Sequence, residues 1–159
     1  SEMTGIPRGN FYYYFKTKDD ILGAVVDSRL QSVREFIQSC DEAADTASGR
    51  LLAFTNMMEV NKQNVVTYGC PIGSLASELA KDDQDLLTAS RAVFEETRNW
   101  LKTQFSAVGF KNADDMAMDL LARMQGVAVM SCAFGDMAFL ERSHEDIKDW
   151  LTLVLEQTH

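Results

Sequence analysis

Apolar residues recur at intervals of three and four along most of the chain, and this spacing is what most constrains its fold. Alternating β-branched residues, which are typical of strands, are almost absent, and only two prolines interrupt the sequence. The first long example is a predicted helix over residues 19–44. Its apolar stripe consists of Leu22, Val26, Leu30, Val33 and Ile37. The pattern therefore predicts an all-α protein.

Capping residues and apolar periodicity divide the rest of the chain into further helices. We predict helices over 50–63, 71–81, 112–135 and 143–157, a long helix from Asp82 or Asp83 to Val108, and a turn over 64–69. The helix over 112–135 carries apolar residues on several faces, which indicates burial on two sides. Ser143-His144-Glu145-Asp146 resembles a capping arrangement, so we expect the last helix to begin there.

Residues 5–18 combine a turn, an aromatic helix and a basic end within 14 positions. Gly5 suits a sharp turn between helices, and Pro7 suits a first helical position because its missing N–H needs no partner there. Phe11 and Phe15 are four residues apart and share one helix face. The other faces carry Arg, Asn and Tyr, which are side chains that reach phosphates and base edges in DNA.

This segment resembles the recognition helix of TetR-type transcriptional repressors. The family pattern reads roughly Gly-Val-Ser-x-Gly-x-Leu-Tyr-x-(Tyr/His)-Phe-x-x-Lys-x-x-Leu, and residues 5–21 read GIPRGNFYYYFKTKDDI. The resemblance implies a recognition helix at about residues 7–14. The DNA contacts that it implies are Arg8, Gly9, Asn10, Tyr12, Tyr13, Tyr14 and Lys18. Tyr12 has the alternative of packing against neighbouring helices, and the Pro7-Arg8 pair departs from the pattern, so the operator sequence stays open.

The resemblance also implies a domain organisation. Residues 1–45 would hold part of a helix-turn-helix DNA-binding domain and a connecting helix, and residues 46–159 an effector-binding and dimerisation domain. Because the sequence starts within the motif, we expect the first two helices of the family's DNA domain to be truncated or disordered. Effector binding would swing the 19–44 helix and release a repressor from operator DNA.

The net charge of −9 argues at first against a nucleic-acid partner, but the charge is unevenly distributed. Residues 1–34 carry a net charge of +1, whereas residues 35–159 carry −10. A DNA-facing end on an acidic body is consistent with repulsion of the body from phosphates. The acidic body has solubility as a second explanation.

A homodimer is the expected assembly. In the family the last two helices, here about 112–135 and 143–157, pair with their copies in a four-helix bundle. That arrangement would space two recognition helices for successive major grooves, about 34–36 Å apart. The alternative is that both helices only complete the core of a monomer.

A small-molecule effector, apolar or aromatic, is the second expected partner, held in a pocket between the helices of the body. Aromatic and methionine side chains form adaptable walls for such ligands. Each of them has plain core packing as its alternative. The candidate lining residues are Phe54, Met57, Met58, Tyr68, Cys70, Phe94, Trp100, Met130 and Phe134.

The three cysteines, Cys40, Cys70 and Cys132, are widely spaced and indicate a reducing cytoplasm rather than a disulfide framework. Cys70 follows Gly69 and precedes Pro71 near a predicted helix start, a position that favours the reactive thiolate. Cys70 is therefore either a sensing thiol for electrophiles or oxidants, or a small buried residue. Rapid alkylation of Cys70 in the native protein would distinguish the two.

No catalytic or metal-binding motif occurs in the sequence. The chain lacks HExxH, nucleophile-elbow, Walker and dinucleotide patterns, and its only histidines are His144 and His159. We therefore expect no enzymatic activity, no cofactor and no metal. A helical ligand-binding dimer without DNA binding is the remaining alternative, and it would leave the 5–18 segment without a role.

Overall fold

The computed structural model describes residues 15–74 and 84–157, and every regular element in these ranges is a helix. This confirms the all-α class. The helices are α1 (Lys18–Ala43), α2 (Ala47–Thr55), α3 (Met57–Val60), α4 (Lys62–Tyr68), α5 (Gln84–Val108), α6 (Ala113–Phe134) and α7 (Met137–Glu156). Residues 71–74 are helical as well. None of the described helices is both long and apolar enough to cross a bilayer.

A reciprocal cap begins α1 close to where the sequence predicts it. The Thr17 hydroxyl accepts a hydrogen bond from the backbone N–H of Asp20 at 3.0 Å, and the Asp20 carboxylate accepts one from the N–H of Thr17 at 2.9 Å. The same carboxylate accepts from the N–H of Lys16. The hydrogen bonds from these backbone N–H groups lower the pKa of Asp20, and the bond from Thr17 has the largest effect.

Helix α5 is the centre of the bundle, because it packs against α1, α2 and α6. Helix α7 closes the other side by packing on α6 and α2. The continuous core between these helices includes the fully buried side chains Leu51, Phe54, Leu101, Phe105, Leu120, Leu140 and Leu151. Burying each such side chain stabilises the fold by roughly 1.5–3 kcal/mol relative to leaving it exposed.

Glycines end α5 and α6 where the sequence predicts. Gly109 follows α5 with φ of 116°, and Gly135 follows α6 in the left-handed conformation with φ of 61°.

An ion pair links α5 to α6. Arg98 of α5 forms two hydrogen bonds, of 2.9 and 2.6 Å, to Asp114 in the first turn of α6. Arg98 lowers the pKa of Asp114, so this contribution to stability is present above the ordinary pKa of an aspartate and is lost as pH falls through the lowered value.

The predicted helix over 50–63 and the predicted turn over 64–69 are wrong. Three short helices, α2, α3 and α4, occupy this stretch, and the junctions between them lie at Asn56 and Asn61. The side-chain amide of Asn61 donates to the carbonyl of Met57 at 3.2 Å, a local bond that competes with regular helix propagation. The segment nevertheless stays helical to Tyr68, and Gly69, with φ of 74°, follows the end of α4.

The predicted start of the last helix at Ser143 is also wrong. Helix α7 begins at Met137, where the Asp136 carboxylate accepts a hydrogen bond from the N–H of Phe139 at 2.8 Å. Residues 143–146 therefore lie inside the helix, and His144 is only 2% exposed. The capping pattern misled because polar residues at mid-helix can face a neighbouring element, here Glu59, whose carboxylate lies 3.8 Å from His144 Nδ1.

The two candidate starts of α7 can be separated by alanine substitution. We expect Asp136→Ala to lower the free energy of unfolding by about 1 kcal/mol, because an N-terminal cap is lost. Ser143→Ala is expected to stay within about 0.5 kcal/mol of the parent. Urea unfolding followed by circular dichroism measures both, with Asp149→Ala on the exposed face of α7 as the control. A larger loss for Ser143→Ala than for Asp136→Ala would contradict this start.

Candidate ligand-binding cavity

A cavity of about 590 Å³ lies between the helices of the body. Its walls come from the middle of α1, from α2 to α4, from residues 69–72, and from the facing sides of α5 and α6. This volume is within the range of pockets that hold small organic ligands. The cavity is therefore the candidate functional site.

The inner wall of the cavity is apolar and aromatic. Phe54 lies at its base, where its ring centroid is 5.7 Å from that of Phe36 and 5.7 Å from that of Trp100. The other apolar lining residues are Val33, Met57, Met58, Val65, Pro71, Ile72, Phe94, Leu121, Met124 and Ala128, with Tyr68 at the exposed edge. The unbranched methionines give this wall conformational freedom to adapt to a ligand.

Polar side chains occur at separate points of the lining. They are Arg29 and Ser32 on α1, Asn61 and Asn64 near α4, Thr97 on α5, and Gln125 on α6. Thr97 is buried, and its hydroxyl donates to the carbonyl of Val93 at 3.2 Å, which leaves acceptor lone pairs on its oxygen. These groups give the cavity the few convergent polar contacts that orient a ligand.

The sequence Gly69-Cys70-Pro71-Ile72-Gly73 forms one end of the cavity. The Cys70 sulfur accepts hydrogen bonds from the N–H of Gly73 at 3.5 Å and from the side-chain amide of Gln125 at 3.3 Å. A Cβ added at Gly73 would lie 2.8 Å from the Gln125 side-chain oxygen. Glycine at 73 therefore lets Gln125 of α6 approach Cys70, which joins this segment to α6.

Cys40 is buried, whereas Cys70 is partly exposed. Cys40 lies in the core, outside the cavity lining, and burial raises the pKa of its thiol to about 11. Its thiolate is correspondingly scarce at neutral pH, so Cys40 is an inert packing residue. All three cysteines are free thiols.

An ionic cluster attaches the outer wall of the cavity to α7. The Lys62 ammonium lies 2.7 Å from the Glu59 carboxylate and 2.9 Å from that of Glu141 on α7. The hydrogen bond with Lys62 lowers the pKa of Glu59 and raises that of Lys62. Because Met57 and Met58 precede Glu59 on α3, the cluster fixes where these two lining residues lie.

Of the nine predicted lining residues, the structure brings six to the cavity. Phe54, Met57, Met58, Tyr68, Cys70 and Phe94 line it. Trp100, Met130 and Phe134 do not. Trp100 packs behind Phe54, and its indole N–H donates to Asp41 at 3.1 Å. Met130 and Phe134 point outward from α6, where Phe134 is 76% exposed.

Sequence reasoning missed the contribution of α1 to the cavity. Arg29, Ser32, Val33 and Phe36 line it, although this helix was interpreted as a connection alone. Phe36 gave a usable signal, because it is an aromatic residue beside the regular apolar stripe rather than within it. Asn64 and Val65 were missed because their stretch was predicted as a turn, and Leu121, Met124, Gln125 and Ala128 because α6 is apolar on several sides.

The predicted DNA contacts Arg8, Gly9, Asn10, Tyr12, Tyr13 and Tyr14 lie outside the described residues, as does the side chain of Lys18. The backbone of Lys18 begins α1 directly after the Thr17 cap. Within the described residues, no group of three or more His, Cys, Asp or Glu side chains is arranged to hold a metal ion.

A second surface feature consists of exposed apolar side chains on α6 and α7, outside the cavity lining. Of the eight large hydrophobic side chains that are exposed among the described residues, five lie on α6 and α7. They are Met118, Val129, Met130, Phe134 and Leu153. Grouped apolar exposure of this kind is typical of a protein–protein contact.

Comparison with known proteins places these features in a family context. A family profile described as "Transcriptional regulator LmrA/YxaF-like, C-terminal domain" matches residues 51–146. These residues contain α3 to α6 completely, together with the second half of α2 and the first half of α7. The matched segment thus includes most of the cavity wall.

Curated relatives and solved structures are similar over nearly the whole chain. An uncharacterized HTH-type transcriptional regulator of Lactococcus lactis subsp. lactis is 26% identical, over 92% of this chain and 78% of its own length. The HTH-type transcriptional repressor DhaR of Mycobacterium sp. (strain GP1) is 28% identical, over 95% and 75%. A TetR-family regulator of Agrobacterium tumefaciens has the same fold, with a TM-score of 0.79, 20% identity, and coverage of 94% of this chain and 82% of its own.

Proposed function

Because this chain belongs to the TetR family of transcriptional regulators, we propose that it is a repressor whose operator binding is controlled by a small molecule in the cavity. The observation that carries this proposal is that α1 forms one wall of the cavity. The same helix begins directly after the segment that resembles a recognition helix. A ligand in the cavity would therefore contact the element that leads to the DNA-binding end.

The mechanism requires that a ligand favour one position of α1 over another. A ligand shifts such an equilibrium only by its difference in affinity for the two positions. The N-terminal half of α1 is suited to move because it rests on α5 through a small apolar cluster, Val26 and Val33 with Val93, and an exposed ion pair between Arg34 and Glu96, whereas Cys40 near the end of α1 is buried in the main core. Neither contact is large compared with the main core.

For the DNA-binding end, the proposal keeps the residues that the resemblance implies. Arg8 and Asn10 would contact base edges or phosphates, the tyrosines and Lys18 the sugar–phosphate backbone, and Gly9 would allow close approach. A regulator of operator DNA works in the cytoplasm of a bacterial cell, which is the location that the proposal implies. The hypothesis that Cys70 is a sensing thiol stays a prediction.

Entry of an apolar compound into the cavity can be tested with N-phenyl-1-naphthylamine, a neutral dye that becomes fluorescent in apolar surroundings. We expect the dye to bind the parent protein and Ala128→Phe to weaken that binding at least tenfold. Ala128 is buried on the cavity wall, so a phenyl group there occupies the space of the ligand. Fluorescence titration gives both affinities.

The matched control places the same phenyl group outside the cavity. Ala107 is exposed near the end of α5, and Ala107→Phe should leave dye binding unchanged. Circular dichroism checks that both variants keep the helical content of the parent. Equal binding by a folded Ala128→Phe variant would remove the cavity as the ligand site.

The role of Arg8 in DNA binding can be tested on genomic fragments that the protein itself selects. If Arg8 contacts a base edge, Arg8→Gln should weaken binding of the preferred fragment by about 1–3 kcal/mol and relax its sequence preference. If Arg8 contacts a phosphate, binding should weaken by a similar factor for all DNA sequences, and the slope of log affinity against log salt concentration should fall by about one. Fluorescence anisotropy at several salt concentrations separates the two.

Arg91→Gln is the control for that measurement, because Arg91 is an exposed arginine of α5 in the middle of the body. It removes the same charge away from the segment that resembles a recognition helix. Unchanged affinity, preference and salt dependence in Arg8→Gln would exclude Arg8 from the DNA contact.

We further propose that the chain dimerises through the exposed apolar side chains of α6 and α7. TetR-family regulators form dimers. The five exposed apolar residues on these helices form an apolar surface whose burial against a second subunit would be favourable. This arrangement explains the unusual composition of α6. One side, with Leu121, Met124 and Ala128, faces the cavity, Val129 lies about 100° further round the helix, and the opposite side carries Met130.

A charged residue on this surface should dissociate the dimer. We expect Val129→Glu to give a monomer at micromolar concentration, because a pair of carboxylates would be buried between the subunits. Val60→Glu is the matched control, since Val60 is 81% exposed and belongs to α3 rather than to α6 or α7. Size-exclusion chromatography with light scattering measures the mass. A dimeric Val129→Glu variant, or a monomeric parent, would contradict this interface.

A further inference from the structure

The lining of the cavity has a marked charge asymmetry. In a chain with 24 acidic residues among 159, none of the 21 described residues that line the cavity is acidic. The lining contains one cation, Arg29. The other polar groups of the lining are neutral amides, hydroxyls and a thiol. Among the described lining residues, a cationic ligand would therefore find no carboxylate to pair with.

Arg29 is free to bind an anion. Within the described residues it forms no ion pair, whereas Arg34 on the same helix is paired with Glu96, and Arg98 with Asp114. A guanidinium offers five N–H donors in a planar fork that matches a carboxylate. An arginine that faces an apolar cavity without an acidic partner therefore has unused capacity for a ligand carboxylate.

The position of Arg29 also orients the ligand. The side chain is exposed on α1 at the edge of the cavity, while Phe54 and Met58 are buried on the opposite, inner wall. An aromatic body can thus enter among the apolar side chains while a charged end stays close to solvent. Such placement spares the ligand the large cost of carrying an ionised group into an apolar interior.

From these observations we propose that the effector is an apolar, aromatic monoanion whose carboxylate or equivalent acidic group binds Arg29. The inference rests on the proposed function and specifies the ligand class for the same cavity. It adds a physical link to the DNA-binding end, because the charged contact is made by α1 itself. The carboxylate of the ligand then contacts α1, and its aromatic part contacts the apolar side chains of the cavity lining.

The test compares two probes that differ in charge and little in shape, 2-naphthoate and 2-naphthamide. We expect the parent protein to bind the naphthoate about tenfold more tightly at pH 7 and low salt, the usual contribution of a charge-assisted hydrogen bond. Arg29→Gln should reduce the affinity for naphthoate to that for naphthamide and leave the affinity for naphthamide within twofold. Arg29→Lys should retain part of the preference. Isothermal titration calorimetry measures all six affinities.

Arg91→Gln controls for the change in net charge, because Arg91 is an exposed arginine of α5 that does not line the cavity. It should keep the full preference for naphthoate. If Arg91→Gln and Arg29→Gln lose the preference for naphthoate to the same extent, that preference comes from the overall charge of the protein, and the assignment to Arg29 is overturned.

The remaining outcomes separate this inference from the proposed function. Equal binding of both probes by the parent, unaffected by Arg29→Gln, would overturn the anionic ligand class while leaving the cavity as a ligand site. If neither probe binds at millimolar concentration and N-phenyl-1-naphthylamine does not bind either, the cavity is not a ligand site, and both proposals fail. Binding of the neutral dye without either naphthalene probe would overturn the anion inference alone.

Discussion

The contact between α1 and α5 is the interaction on which the rest of the structure depends. Val26 and Val33 of α1 are buried against Val93 of α5, and this apolar contact holds α1 over the cavity. Burial of each such side chain is worth roughly 1.5–3 kcal/mol, whereas an exposed ion pair such as Arg34–Glu96 contributes little because water screens it. The valines therefore hold α1 on α5, and the ion pair is a minor addition. Without this contact the cavity would lose one wall, and the N-terminal segment its connection to the body.

The strength of this contact suits a regulatory helix. A change of 1.4 kcal/mol alters an equilibrium about tenfold, so a ligand with modestly different affinities for two positions of α1 has a measurable effect. Helix α1 touches the ligand site at Arg29 and Phe36, and it meets α5 through the small Val26, Val33 and Val93 cluster. The main core, built around Phe105 and Leu120, includes Cys40 near the end of α1 and has Phe36 packed against it, so the N-terminal half of α1 is the part that can move with least effect on this core.

The long helices could be predicted from the sequence, and the short ones could not. The spacing of apolar residues predicted the ends of α1, α5 and α6 to within a few residues. Apolar residues that recur every three or four positions over 20 or more residues match a helix and no other regular structure. Over α2 to α4 the outcome depends on local hydrogen bonds, such as that of Asn61, which a periodicity does not contain. The start of α7 depends on Asp136 directly after Gly135, and a more complete capping pattern at Ser143 concealed it.

The candidate site shows the same limit at the level of side chains. Phe54, Phe94 and Phe134 are alike in sequence terms, yet two line the cavity and the third is exposed on α6. Residue type predicts that an aromatic side chain avoids water, but not which neighbour covers it. That depends on how the helices cross, and the crossing is decided by the whole core. For the same reason no sequence pattern singled out Arg29, which lines the cavity.

Helix α6 joins the two proposed activities of the body in one rigid element. Its inner side, with Leu121, Met124 and Ala128, lines the cavity, and its outer side carries the exposed residue Met130. The two sides are separated only by the diameter of a helix, about 10 Å. A ligand that binds between α1 and α6 would thus contact both the helix that leads to the proposed DNA-binding end and the helix proposed to meet the second subunit. In that dimer these two helices would set the distance between the two DNA-binding ends, so a single ligand site between them would be sufficient to change it.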